Sequence, residues 1–440
     1  MASSPAYLSL PKASFFSFPP QNVPDWLAPP KAGSIPSAPP FDIPESVYQA
    51  WLNPMVPITI ATVYAVSAKL LNRYNKSTGN RPWAISTTRP FKAFVILHNV
   101  FLAVYSAWTC WGMYGALSRS FVSPFGPSGI AGSLDSMCRM SGPAGYGNGV
   151  VYNEVTKTWE SYSPSVALSS DGKPLSTDTG RLWNEGLAFY GWIFYLSKFY
   201  EVLDTLIILA KGKFSSTLQT YHHAGAMMCM WSGIRYMSPP IWIFCFVNSG
   251  IHAMMYTYYT IAALKIRVPM VIKRSLTTMQ ITQFLLGGSA AMLHSFVTYA
   301  VPVVVNATQK STPSARASSE TASGAGLEQV RDLVYTPCIT SAAQTFGVWL
   351  NVVYLAPLTY LFMSFFVQSY LKRSAAEQKK KDRRYSDLAV TAEKAGWDAA
   401  KGVEREVYGA SNEQAVIDDT PNGHTITGSR PTGRVLRKRA

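Results

Sequence analysis

The chain has little charge. Asp, Glu, Lys and Arg make up 14% of its 440 residues, against 48% hydrophobic residues. A soluble domain carries about 25% charged residues, so the composition excludes that class and points to a polytopic membrane protein. Mean hydropathy is nevertheless near neutral, because long polar ends and a polar loop dilute apolar runs of about 20 residues, the length that crosses a bilayer. Other absences narrow the reading. Residues 1–42 lack a basic start followed by an apolar core, so no cleavable signal peptide is read there. No internal repeat is evident, which argues against a transporter built from duplicated halves. The formal charge of +15 invites a nucleic-acid reading. Its Lys and Arg, however, stand in short groups at the ends of apolar runs and in the C-terminal stretch, with no nucleic-acid module.

The apolar runs, at about 50–71, 93–117, 182–210, 216–237, 241–264, 275–305 and 341–371, predict seven transmembrane helices. Residues 1–46, with repeated Pro and scattered Phe, predict a flexible lumenal arm without a fold of its own. Residues 47–371 form the membrane domain, and 372–440 a disordered basic tail. Lys211 and Lys213 separate the third run from the fourth, Lys265, Arg267, Lys273 and Arg274 the fifth from the sixth, and Lys372 and Arg373 open the tail. Seven spans place all these groups on one face, so the tail is expected in the cytosol and the arm in the lumen. The charge-balanced loops 118–183 and 306–340 fall on the lumenal face. There Cys138 and Cys338 are expected to form a disulfide in an oxidising compartment, whereas Cys110, Cys229 and Cys245 lie within apolar runs as small buried side chains. Asn306-Ala307-Thr308 is a glycosylation sequon beside the membrane.

Against this apolar background the polar residues inside the runs stand out, since ionisable groups at membrane depth are costly. On the third run Lys198, Glu201, Asp204 and Thr205 recur at three- and four-residue spacing and share one helical face. On the fourth, Gln219 lies one turn before His222 and His223. On the fifth, Asn248, His252, Met255, Tyr256 and Tyr259 form a stripe, and on the sixth Thr277, Gln280 and Gln283 do the same. Counted from the basic turns, Glu201, His222, His223 and His252 lie about 15 to 18 Å deep at 1.5 Å per residue. Each set alone has a plainer reading: interhelical hydrogen bonds, packing, or an ion-pair network around Lys198. Convergence at one depth favours a site, with a cavity to satisfy it.

An uncharged imidazole there can attack a thioester to give an acyl-imidazole, or take a proton, if Gln219, Asn248 or a carboxylate fixes its tautomer. Metal chemistry is the alternative for His-x-x-His-His clusters, but a di-iron centre of the membrane desaturase kind needs more histidines than the six present. His98, His294 and His424 are, moreover, read as lying away from the cluster. A competing class is a seven-span receptor or carrier that binds lipid without chemistry.

These residues resemble the fatty-acid elongase (ELO) family of condensing enzymes of the endoplasmic reticulum. Lys198-Phe-Tyr-Glu201-Val-Leu-Asp204-Thr205 is similar to its K-x-x-E-x-x-D-T motif, the Asn248 to Tyr259 stretch to N-x-x-x-H-x-x-M-Y-x-Y-Y, and Thr277, Gln280 and Gln283 to T-x-x-Q-x-x-Q. The family's H-x-x-H-H box reads Gln219-Thr-Tyr-His222-His223 here, a variant found in a subset that includes elongases of polyunsaturated chains; it excludes a titratable group at 219. The resemblance implies an all-α membrane protein whose seven helices enclose an acyl-chain tunnel. It implies condensation of a long-chain acyl-CoA with malonyl-CoA, giving a 3-oxoacyl-CoA two carbons longer, CoA and carbon dioxide, with no metal or bound cofactor. By motif, His222 would take the acyl chain, and His252 would assist decarboxylation or enolate stabilisation. His223, Gln219 and Asn248 would orient them. Lys211, Lys213, Lys265, Arg267, Lys273 and Arg274 would meet the CoA phosphates at the tunnel mouth, although membrane topology alone also accounts for those charges. A homodimer and association with the other enzymes of the elongation cycle are the partners the resemblance brings with it.

Overall fold

Apolar runs in a bilayer must satisfy their own backbone, and helix is the way a single segment does so. The computed structural model describes residues 5–306 and 329–378. A short helix α1, Glu45–Leu52, leads into α2, Met55–Ser77, and α3, Arg89–Ser120. Thr88 caps α3 by accepting from the Phe91 amide at 3.3 Å, with Pro90 next in its first turn. After α4, Gly129–Cys138, and a hairpin of β2, Val150–Asn153, with β3, Thr158–Ser161, the chain re-enters the helical body. It does so as a widened π-helical turn, Trp183–Gly191, interrupted at Gly186, followed by α5, Trp192–Tyr200, and α6, Val202–Ala210. Then come α7, Thr217–Arg235, the short α8, Ile241–Ile243, a second π-helical turn, Phe244–Asn248, and α9, Ser249–Ala263. The set ends with α10, Met270–His294, and α11, Ala342–Gln378.

Helices α2, α7, α11, α10, α9 and α3 touch in that succession, and the broken segment 183–210 lies among them, against α2, α3 and α7. It is heavily buried, with Trp183, Leu187, Phe189 and Tyr195 nearly or fully sealed. Among the described residues three helices are long and apolar enough by themselves to cross a membrane: Met55–Ser77, Arg89–Ser120 and, in α11, Ala342–Ser364. The remaining long stretches are broken by π turns or carry the polar residues of the site, which lowers their hydropathy.

The expected sixth span needs correction. Its helix stops at His294, and the chain turns into β4, Val297–Asn306. This strand pairs antiparallel with β5, Gln329–Pro337, and with β1, Ala6–Leu8, so the strand order is β1-β4-β5. The Val- and Thr-rich run after Ser295 packs better on a pleated surface than in a helix. The N-terminal arm, expected without a fold, is docked here from residue 5 onward. Phe16 and Phe18 meet Trp349 and Phe346 at ring distances of 5.8 and 5.6 Å. The Trp183 indole donates to the Leu27 carbonyl at 3.1 Å, and Arg235 donates to Pro24 O at 2.9 Å. Proline-rich sequence has no core of its own, but its aromatics find one in the helices. The tail expected from 372 begins instead as helix, since α11 continues to Gln378; residues 379–440 with His424, and Ala307 and Thr308 of the sequon, lie outside the described residues.

At this sheet end Cys138 and Cys338 are bonded. Around them Arg139 donates to Cys338 O at 3.1 Å, Pro337 O at 2.9 Å and Thr336 Oγ1 at 2.8 Å. Arg181 donates to Asp135 Oδ2 at 2.7 Å, and the Tyr299 hydroxyl donates to Asp135 Oδ1 at 3.1 Å. Because the disulfide closes a loop of 200 residues, Cys138→Ser is expected to cost about 2 to 4 kcal/mol. Arg139 still ties the two elements together and keeps the loss below the chain-entropy limit. A lower Tm in detergent, reproduced by reductant on the parent protein and absent in the variant, is the result to look for.

At the other end Asn75, fully buried, donates to Leu209 O at 2.9 Å and Lys213 O at 3.1 Å, and accepts from the Trp83 indole at 2.8 Å. Asn72 exchanges bonds with Ser215, donating to its carbonyl at 2.8 Å and accepting from its amide at 2.9 Å. Two amide side chains of α2 thus fix the basic turn where α7, the histidine-bearing helix, begins.

Candidate active site

Ser216 starts α7 by accepting from the Gln219 amide at 3.0 Å, which sets where the following side chains fall. In a capping box the N3 Gln side chain would reach back to the cap. Here both amide atoms of fully buried Gln219 have no hydrogen-bond partner among the described residues. One turn on, His223 is buried with neither ring nitrogen bonded, whereas His222 keeps part of its surface accessible.

Across from these, Lys198 is buried on α5 and donates to Glu201 Oε1 at 2.7 Å and to Asn248 Oδ1 at 3.3 Å, with its ammonium 4.2 Å from the Phe194 ring centre. Ser197 donates to the same Glu201 oxygen at 3.0 Å, and Asn248 in turn donates to Gln283 Oε1 at 3.3 Å. His252 Nδ1 stands 3.5 Å from Glu201 Oε1, too far for a hydrogen bond, and it and Glu201 Oε2 have no partner. Glu201, Lys198, His222, His223 and His252 all lie within electrostatic reach of one another. The His222 and His223 ring centres lie 5.4 Å apart, and His252 reaches the same group through Glu201. Among the described residues no three His, Cys, Asp or Glu side chains are arranged to hold a metal ion.

A second polar centre is built on Asp204. Its carboxylate is bonded to His98 Nε2 at 2.8 Å and accepts from the Tyr256 hydroxyl at 2.6 Å. His98, read from the sequence as remote, is thus part of the layer; α3 delivers it beside Tyr200, which stacks on its ring at 5.3 Å. Thr205 meets the Tyr64 hydroxyl at 2.8 Å, and Tyr259 packs on Tyr256 at 6.1 Å. Gln280 donates to Met255 Sδ at 3.4 Å, and Thr277 turns onto its own helix, donating to Lys273 O at 3.3 Å. His294 bonds to Ala290 O at the far end of α10, away from the site as expected.

The neighbour that holds His222 is none of those expected. Gln219 is unpartnered and Asn248 is engaged by Lys198 and Gln283. Instead Tyr354 of α11 lies 2.9 Å from His222 Nδ1 through its hydroxyl, which also donates to the His222 carbonyl at 2.9 Å. A lone Tyr in an apolar run gives no periodic signal, so sequence reasoning passed over it.

His98, Asp204 and Tyr256 meet while each lies within three helical turns of its helix end. The start of α3 and the ends of α6 and α9 therefore share one side, and the basic turns close it. Lys211 and Lys213 are half-buried there, Lys265 and Arg267 are exposed, and Lys273 lies 5.4 Å over the Tyr258 ring. Burial, reinforced by Lys213, holds the Lys211 ammonium below its usual range. The Arg274 side chain lies outside the described residues.

Comparison with known proteins bears on this arrangement. A family profile described as the ELO, GNS1/SUR4 family matches residues 49–378. "Fatty acid elongase 2" of Trypanosoma brucei brucei is 29% identical over 205 residues, 46% of this chain and 64% of that one. "Very long chain fatty acid elongase 7" of Drosophila melanogaster is 26% identical over 57% of this chain and 60% of its own. "Very long chain fatty acid elongase 3" of Homo sapiens is 32% identical over 25% and 41%. In each case the match spans less than two thirds of the relative.

Proposed function

The chain belongs to the ELO family, and on that premise we propose that it condenses a long-chain fatty acyl-CoA with malonyl-CoA to a 3-oxoacyl-CoA two carbons longer. The observation that carries the proposal is the set of buried, unpartnered polar atoms in one layer: both of Gln219, both ring nitrogens of His223, His252 Nδ1 and Glu201 Oε2. Each buried polar atom left without a partner costs about 1 to 3 kcal/mol. A polar reactant entering the layer would recover that cost, and a thioester or a malonyl carboxylate has the chemistry to do so. The names of the relatives supply the reaction class.

In the proposed cycle the His222 Nε2 lone pair attacks the acyl thioester carbonyl. The new C–N bond forms, the C–S bond breaks, and CoA leaves with the bonding pair and takes a proton from water. Malonyl-CoA then loses carbon dioxide, and the electron pair left on its α-carbon attacks the acyl carbonyl. The C–N bond breaks and the pair returns to Nε2. His252, backed by Glu201 3.5 Å away, would steady the enolate oxygen. Gln219 supplies a neutral amide to the same layer, in keeping with a Gln-x-x-His-His variant. The scheme uses malonyl-CoA as co-substrate and calls on no resident cofactor. Lys211, Lys213, Lys265, Arg267 and Lys273 would receive CoA phosphates, an anion relieving the crowding of Lys211 by Lys213. The acyl chain would run between the helices toward the sheet end.

We place the protein in the endoplasmic reticulum as a seven-span protein, with the basic turns cytosolic and the disulfide-bonded sheet end lumenal, as the positive-inside rule and an oxidising lumen favour. Purified protein incubated with acyl-CoA and labelled malonyl-CoA is expected to yield a product two carbons longer. No extended product across a panel of chain lengths and unsaturation would overturn the proposal.

A further inference from the structure

We propose that Tyr354 is a positioning residue that locks His222 in the Nδ1–H tautomer and so bares Nε2 toward the acyl thioester; this rests on the reading of His222 as nucleophile. A phenol has one proton. The Tyr354 hydroxyl lies 2.9 Å from the His222 carbonyl, which can only accept, and 2.9 Å from His222 Nδ1. Both contacts are hydrogen bonds at once in a single arrangement: Tyr354 donates to the carbonyl, and Nδ1–H donates to the phenol oxygen. The opposite tautomer sets a lone pair against a lone pair at one contact or the other. Among the described residues nothing hydrogen-bonds Nε2.

The seat for this ring is built into both helices. A Cβ at Gly225, three residues after His222, would come within 2.2 Å of Tyr354 Cε2, so the ring crosses α7 where there is no side chain. Tyr221, on the other side of His222, donates to the Tyr354 carbonyl at 3.1 Å and packs its ring 5.4 Å away. Residues 221, 222 and 225 thus hold one tyrosine of α11.

The bond also serves the chemistry. After Nε2 attacks, the acyl-imidazolium carries a positive charge, and its Nδ1–H remains on the phenol oxygen. The ring stays electrophilic toward the enolate and cannot rotate away. Carbon–nitrogen formation and carbon–sulfur cleavage balance as before, with the Nδ1 proton retained throughout and CoA protonated by water.

The test is Tyr354→Phe, which keeps the ring on Gly225 and removes one oxygen. With acyl-CoA alone, mass spectrometry of the parent protein is expected to find the acyl adduct on His222. The variant is expected to form it about tenfold to a hundredfold more slowly, kcat falling with KM for acyl-CoA unchanged. Nitrogen-15 spectra of imidazole-labelled parent protein are expected to show His222 protonated at Nδ1 and bare at Nε2, and the variant a mixture. An adduct forming on His222 at equal rates in both proteins would overturn the role of Tyr354 and leave the nucleophile standing. Parent protein that binds acyl-CoA without any His222 adduct would overturn both. Should the variant not fold, the spectrum of the parent decides: an Nε2–H tautomer there refutes the proposal.

Discussion

His222→Ala is expected to lower condensation at least about a thousandfold while the protein still expresses and runs as a single species in detergent. What the imidazole does for the fold is separable from what it does for the reaction. Structurally its ring makes one hydrogen bond, through Nδ1, and the hydroxyl that receives it keeps its bond to the His222 carbonyl after truncation. The side chain is not sealed in the core, so no large cavity is opened. Chemically nothing replaces it: His223, next in sequence, is buried with its ring beside Tyr64 at 6.1 Å, and His252 belongs to another helix. Incorporation of labelled malonyl-CoA, read beside the elution profile, distinguishes the two. Retention of a tenth or more of the activity by a well-folded His222→Ala protein would remove His222 from the chemistry.

The polar faces were legible because their members recur at helical spacing, and the basic turns supplied the reference from which Glu201, His222 and His252 are expected at one depth. What escaped was whatever a helix brings in singly. Tyr354 sits among mostly apolar neighbours, His98 has only Asn99 beside it at the end of an apolar stretch, and Asn75 is lost among the polar residues that close α2; a polar residue outside a periodic set looks like interhelical glue or a solvated end until its partner is known. The end of α10 escaped for a different reason. Val297–Asn306 continues an apolar run without alternation, and such a run reads equally as helix or strand until its β-branched content is weighed. The π-helical turns at Trp183–Gly191 and Phe244–Asn248 left no mark that hydropathy could carry. The second of them ends on Asn248, the residue that meets Lys198, so a widened turn, which periodicity cannot foresee, positions a motif that periodicity found.

The Lys198–Glu201 pair is where the plain and functional readings part, and a double variant separates them. Both side chains are nearly sealed, 4% and 2% exposed, so removing either charge strands the other. Glu201→Gln and Lys198→Met are each expected to cost about 3 to 5 kcal/mol. Lys198 without its carboxylate retains only the Asn248 oxygen and the Phe194 ring, which soften the loss without cancelling it. The combined variant removes both charges, and a neutral pair of similar volume is expected to stand closer to the parent than either single change, a non-additive cycle read from Tm in detergent. If the pair merely held helices together, restoring stability would restore turnover. Glu201, however, acts electrostatically on all three clustered imidazoles and stands 3.5 Å from His252. The double variant is therefore expected to be stable and still slower than the parent by about a hundredfold or more. A double variant that regains both stability and turnover would make this pair scaffolding, and the enolate-steadying role given to His252 would lose its counter-charge.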